Sequence, residues 1–152
     1  MTSANFAVHA DAIIPVSGPE NVLKSHSIVV RQGLIDALMP HAQARTLSDV
    51  DHVELSGHLL MPGLVNAHGH AGMTLLRGYA DDMSLASWLN DKIWPLEARW
   101  VSPEFVRDGT DIAAAEMLLS GITTTSDMYF FPDIAAQSLR AAGMRTQQVF
   151  PV

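Results

Sequence analysis

A chain of 152 residues with a formal net charge of −7 and no cysteine has the length of one ordinary domain, and it excludes disulfides and thiolate metal sites, leaving imidazole and carboxylate as ligands. Its nine Lys and Arg are scattered among sixteen Asp and Glu, which excludes a nucleic-acid partner, since such a surface needs clustered positive charge. The composition is 48% hydrophobic, yet no stretch approaches the ~18 uninterrupted apolar residues of a membrane helix, so no membrane partner is expected. The mean hydropathy of +0.16 instead predicts surfaces covered by further chain or by a second subunit, as in a homo-oligomer. Met1–Phe6 carries no basic stretch followed by an apolar core, which predicts a cytoplasmic protein.

The first part of the chain reads as β structure. Phe6–Ile14 predicts a strand and Ser17-Gly18-Pro19-Glu20 a turn. Ser27–Val30 and Leu34–Leu38 flank Arg31-Gln32-Gly33, a short hairpin connection with Gly33 where φ turns positive. His52–Leu55 and His58–Met61 predict two more short strands about Ser56-Gly57. Short strands at this spacing predict part of a small β-sandwich or partial barrel over residues 1–61.

The rhythm changes at Pro62. Leu64–His70 reads as a strand, with Leu64-Val65 a buried-strand signature, and Thr74–Trp100 as a long mixed connection. Ser102-Pro103-Glu104 starts a helix: a hydroxyl N-cap, proline at the first helical position and an acid in the first turn. That helix runs to about Ser120 and stops at Gly121. Ile122–Tyr129 is the next strand, Pro132–Ala142 a second helix ended by Gly143, and Met144–Val152 a third strand. This β-α-β-α-β order predicts an α/β fold with a parallel sheet. Three strands cannot close a barrel of eight, so residues 62–152 read as an incomplete (β/α)8 barrel, its first three strands and two helices.

The strand ending in His68-Gly69-His70 carries the chemistry. Successive side chains on a strand point to opposite faces, so the two imidazoles share one face and are placed to hold one divalent metal ion. The plainer alternative is a pair of unremarkable histidines near a strand end. An apolar strand turning polar and glycine-rich at its C-terminal end is, however, where parallel barrels put their sites.

Pro62-Gly63-Leu64-Val65-Asn66-Ala67-His68-Gly69-His70 resembles the first barrel strand of the amidohydrolase superfamily. Leu76–Asp82, Trp88-Leu89, Ile93–Glu97, Gly121–Thr124 and Ser126–Tyr129 resemble its cytosine deaminase and chlorohydrolase branch, nearest the 5′-methylthioadenosine/S-adenosylhomocysteine deaminases. The resemblance covers essentially the whole chain. It implies a β-sandwich built from both chain ends together with a (β/α)8 barrel, and a divalent metal, zinc or alternatively Fe2+, bound by His68 and His70. It implies hydrolysis of a ring C–N bond in a small-molecule nucleoside or heterocyclic amine. The activity expected is deamination of an aminopurine nucleoside such as 5′-methylthioadenosine, S-adenosylhomocysteine or adenosine.

The resemblance further implies that Glu97 accepts hydrogen bonds from ribose hydroxyls and that Trp88 lines the nucleoside pocket. Against this stand a solvated Glu97 paired with Arg99 and a Trp88 that only packs the loop. Asp127 ends the second barrel strand, with either a site-orienting or a turn role, while Arg77, Asp81 and Asp82 are read as loop ion pairs and turn contacts. His9, His26, His41, His52 and His58 are read as ordinary surface or edge residues. Some relatives place an arginine a few residues after the match to Met144-Arg145. Thr146–Phe150 contains none, which favours a neutral substrate over one with a charged tail. The further metal ligands and the proton-moving residues of the family come from later strands, so none of this chain's residues is assigned a catalytic role and the isolated chain is expected to be inactive. The alternatives are a triazine or pterin deaminase or chlorohydrolase, and a truncated metal-binding fragment without catalysis.

Overall fold

A computed structural model describes residues 5–17 and 22–150, so Gly18-Pro19-Glu20 of the turn expected after Ser17, and the last two residues of the strand expected to end at Val152, lie outside the described residues. The chain divides into two compact units, Met1–Pro62 and Gly63–Val152. The observed mixture of sheet and helix is an α/β fold. No helix among the described residues is long and apolar enough to cross a membrane.

The first unit is a five-stranded sheet made of β1 (Phe6–Ile13), β2 (Leu23–Lys24), β3 (His26–Arg31), β4 (Leu34–Pro40) and β5 (Asp51–Leu60), with the short helix α1 (His41–Ala44) between β4 and β5. Strand β1 pairs antiparallel with β2 and β3 and parallel with β5. The β3–β4 hairpin closes on Gln32 and Gly33 with φ of 51° and 79°, the pair of positive values that a two-residue turn needs to match strand twist. The two short strands expected about Ser56-Gly57 are one strand. The register with β1 jumps there, Asp11 alone facing Ser56, Gly57 and His58, and the Asp11 carboxylate accepts the Gly57 N–H at 2.9 Å. One face of the sheet buries Ala7, Val29, Ala44 and Val50. The other presents Phe6, Val8, Ile28, Val30 and Leu38 to an apolar hollow.

His9 departs from its expected surface position: it is 2% exposed. The Leu47 carbonyl can only accept, so His52 donates to it through Nε2 (2.9 Å) and keeps a lone pair on Nδ1. That lone pair takes the His9 Nε2 proton (2.9 Å), which in turn makes His9 Nδ1 the acceptor for the Ser27 hydroxyl (2.7 Å). Burial lowers the His9 pKa; Arg45, His52 and His41 add to this, and Glu54 opposes it.

The second unit carries β6 (Leu64–Gly69), followed by a 3-10 turn over Ala71–Leu76. The connection then becomes helical as α2 (Leu85–Ser87), a wide turn over Trp88–Ile93, and α3 (Trp94–Trp100). Next come α4 (Pro103–Leu119), β7 (Ile122–Met128), α5 (Pro132–Ala141) and β8 (Arg145–Val149). The strands form a parallel sheet in the order β6-β7-β8. Helix α4 starts as its sequence requires, the Ser102 hydroxyl accepting the Phe105 N–H at 3.1 Å, and stops at Gly121, φ 80°. Two buried clusters pack α4 and α5 against residues next to the strands, Val106 and Ala135 with Tyr129 just after β7, and Ala114 and Leu139 with Met144 just before β8. Leu64 and Val65 are not buried as expected: they are 48% and 65% exposed, because these packed clusters lie elsewhere in the unit.

The 3-10 turn lies against α4 at Gly109, where a Cβ would stand 2.3 Å from the Gly72 carbonyl oxygen. Alanine is the better helix former by about 1 kcal/mol, but neither backbone can yield without moving the turn. Gly109→Ala is therefore expected to destabilise the intact protein by about 1–3 kcal/mol, read as a lower denaturant midpoint. The His9 network sets a second expectation. A histidine whose folded pKa is depressed leaves stability complete above its unfolded value of 6.5 and loses it as pH falls below that value. The thermal midpoint of the first unit should drop on acidification from about pH 7 to pH 5, and His9→Gln should flatten that slope.

Candidate active site

The C-terminal end of β6 presents the two histidines. Their rings stand 4.9 Å apart, centroid to centroid, and edge-on at 85°. His70 donates from Nδ1 to the Met128 carbonyl oxygen at 2.6 Å. Because that oxygen only accepts, the neutral imidazole is fixed with its proton on Nδ1 and an open lone pair on Nε2. An imidazole oriented in this way by a backbone carbonyl fits the ligand of a divalent metal. Among the described residues no third His, Cys, Asp or Glu joins the pair. His68 is exposed, and its own N–H rests on the Asn66 side-chain oxygen at 3.3 Å.

Beside His70 lies a cavity of about 260 Å³ that Trp88, Glu97 and Tyr129 also line. Their convergence depends on the wide turn. Pro95 has no N–H to give to the carbonyl four residues behind it, and Trp94 N–H reaches back five residues to the Leu89 carbonyl. In a regular helix, nine residues at about 100° each put positions 88 and 97 on opposite faces; one residue of slack brings them to within about 80°. Trp88 is held further by its indole N–H, which donates to the Ala80 carbonyl at 3.1 Å.

Glu97 does not pair with Arg99, whose guanidinium lies 5.0 Å over the Trp100 ring. It is 9% exposed, and its Oε1 accepts the Tyr129 hydroxyl at 2.8 Å. Burial and the adjacent Glu97 carboxylate both push the Tyr129 pKa up, so the phenol remains a donor. Sequence reasoning missed Tyr129 as a partner, although its place directly after β7 puts it at the strand end where such sites form.

Asp127 is buried, its Oδ1 accepting the Ala71 N–H at 2.7 Å, so it holds the turn that follows His70. Desolvation raises its pKa. Arg77 makes the expected ion pair, two-pronged to both Glu116 oxygens at 2.7 and 2.6 Å. Asp82 occupies a turn with φ 57°.

The amidohydrolase family model matches residues 59–149. The 5-methylthioadenosine/S-adenosylhomocysteine deaminase of Teredinibacter turnerae is 47% identical over 152 residues, covering 99% of this chain and 34% of the relative. A zinc-bound adenosine deaminase from Xanthomonas campestris superposes with a TM-score of 0.81 at 39% identity, over 94% of this chain and 33% of that one. A zinc complex of atrazine chlorohydrolase from Arthrobacter aurescens TC1 shares the fold, with a TM-score of 0.82 at 23% identity over 95% of this chain and 35% of that one. The chain thus spans about a third of the length of these relatives. With a family match over more than half its residues, the chain belongs to the amidohydrolase family.

Proposed function

We propose that the protein carrying this chain hydrolyses the exocyclic amine of a purine nucleoside and releases ammonia. The observation that carries this reading is the single cavity onto which His70, Trp88 and a buried Glu97 open. Deaminases of methylthioadenosine, S-adenosylhomocysteine and adenosine among the relatives support it. In this reading residues 1–61 are part of a β-sandwich and residues 62–152 open a (β/α)8 barrel, in a cytoplasmic enzyme.

His68 and His70 would hold one divalent metal, zinc in preference to iron given the zinc-bound neighbours. Bound there, the metal would supply a Lewis acid able to bring the pKa of water down to about 7. The chain's own residues do the rest of what can be assigned here. Met128 holds the His70 ring, Trp88 offers a flat apolar wall to the heterocycle, and Glu97 offers an oxygen to ribose hydroxyls. The lining is otherwise Met73, Leu89, Ile93, Trp94, Tyr129 and Phe130, with no Lys or Arg among the described residues. That lining supports a neutral substrate with an apolar 5′ group, such as 5′-methylthioadenosine, over one with a charged tail. Two imidazoles fall short of the three protein ligands usual at catalytic zinc, so the isolated chain is proposed to be inactive.

Ammonia release from 5′-methylthioadenosine, measured with metal content on the intact protein, tests this. His70→Ala and His68→Ala should lose both metal and turnover. Glu97→Ala should retain metal and lose about tenfold to a hundredfold in kcat/KM. An unchanged rate in Glu97→Ala would remove ribose recognition and point instead to a heterocycle without a sugar.

A further inference from the structure

We infer that Tyr129 is a positioning residue for substrate recognition: by occupying Glu97 Oε1 it turns Oε2 toward the cavity as the acceptor for a nucleoside's ribose hydroxyls. The inference rests on the proposed nucleoside reading and assigns a further residue to that site.

The geometry carries it. Glu97 sits on α3 and Tyr129 just after β7, thirty-two residues apart, yet they meet at 2.8 Å in a buried hydrogen bond. The Tyr129 ring cannot swing away, because it is packed against Gly72, where a Cβ would stand 2.7 Å from the ring. The ring also belongs to the buried cluster with Val106 and Ala135. Among buried side-chain oxygens of the described residues that have no partner, neither oxygen of Glu97 appears. Oε1 is satisfied by Tyr129, while Oε2 has no hydrogen-bond partner among the described residues and is not among the fully buried partnerless atoms, so it keeps some accessible surface on a residue that lines the cavity. One oxygen is thus anchored and the other presented. A hydroxyl that donates from a fixed ring also selects what Glu97 can be: the atom facing Tyr129 must accept.

The same short stretch of chain sets the other half of the site. Asp127 accepts a hydrogen bond from the Ala71 N–H, the Met128 carbonyl accepts one from His70 Nδ1, and the Tyr129 hydroxyl donates one to Glu97. Three consecutive residues therefore fix the turn beyond the histidines, one imidazole and the carboxylate. The separation between the histidine end of the cavity and the hydroxyl-binding oxygen is set by the backbone of one strand end.

The test compares 5′-methylthioadenosine with 2′,3′-dideoxyadenosine, which lacks the ribose diol, on the intact zinc-loaded enzyme. Tyr129→Phe keeps the ring and should lose about tenfold to a hundredfold in kcat/KM on the first substrate, mostly in KM, with less than about twofold loss on the second. Zinc content should not change. Glu97→Gln should lose at least as much, because Tyr129 draws the amide oxygen to itself and leaves the NH2 facing the sugar. The Tyr129→Phe/Glu97→Gln double variant frees the amide to turn over and should recover severalfold relative to Glu97→Gln alone. Equal loss on both substrates in Tyr129→Phe, no loss at all, or a double variant as poor as the product of the singles would overturn the inference. If the wild-type enzyme deaminates neither nucleoside, the functional reading fails and the inference with it. If the wild type is active and only the variants disagree, the inference alone falls.

Discussion

Placing the Asp127 carboxylate at 1% exposure costs free energy that its hydrogen bond to the Ala71 amide offsets only in part. Such an arrangement persists where the surrounding structure requires it, and here the requirement is to close β6 onto β7 at their C-terminal ends. The sheet register itself breaks between Asn66 and Gly69, so regular ladder bonds do not hold His68 and His70. At His70 they are replaced by Met128, whose carbonyl accepts the imidazole N–H, and by Asp127, which accepts the N–H of the next residue, Ala71. The local geometry of His70 is therefore a property of the neighbouring strand as much as of its own.

This dependence extends outward through close backbone approach. The turn that Asp127 secures is the same turn whose Gly72 carbonyl lies against Gly109 of α4, and Gly72 also makes room for the Tyr129 ring. A helix anchored by Ser102 at one end and closed at Gly121 at the other is a rigid backing for that contact. Mobility at the cavity is then expected from the α2–α3 connection, which meets the remainder of the unit through fewer buried side chains.

Much of this was legible in residue types whose effect is local. Ser102-Pro103, Gly121, Gly143 and Gln32-Gly33 act through their own backbone preferences and cap chemistry, and the elements they bound lie where those preferences put them. The family was legible because several motifs occur in order. What was not legible depends on distant partners. Gly57 reads as a turn between strands until Asp11, forty-six residues away, is seen to accept its N–H and keep the strand whole. His9 reads as an edge residue until Ser27 and His52 close around it, and the Tyr129 contact to Glu97 has no signature in either residue's neighbours. Leu64-Val65 shows the reverse error, since an apolar pair identifies a strand without saying what covers it.

The wide turn over Trp88–Ile93 makes the facing of this segment's two ends a variable separate from its cavity-lining residues. A helix with one residue of slack can lose that residue and keep its ends facing as they do, since eight residues at about 100° each also set Trp88 and Glu97 about 80° apart; closing the turn into regular helix at unchanged length instead rotates one end by about 100° against the other. Trp88 would then leave the cavity without any cavity-lining side chain having been exchanged. Divergence of specificity among proteins built on this plan can therefore proceed by opening or closing one helical turn, a route that comparison of the cavity-lining residues alone would not detect.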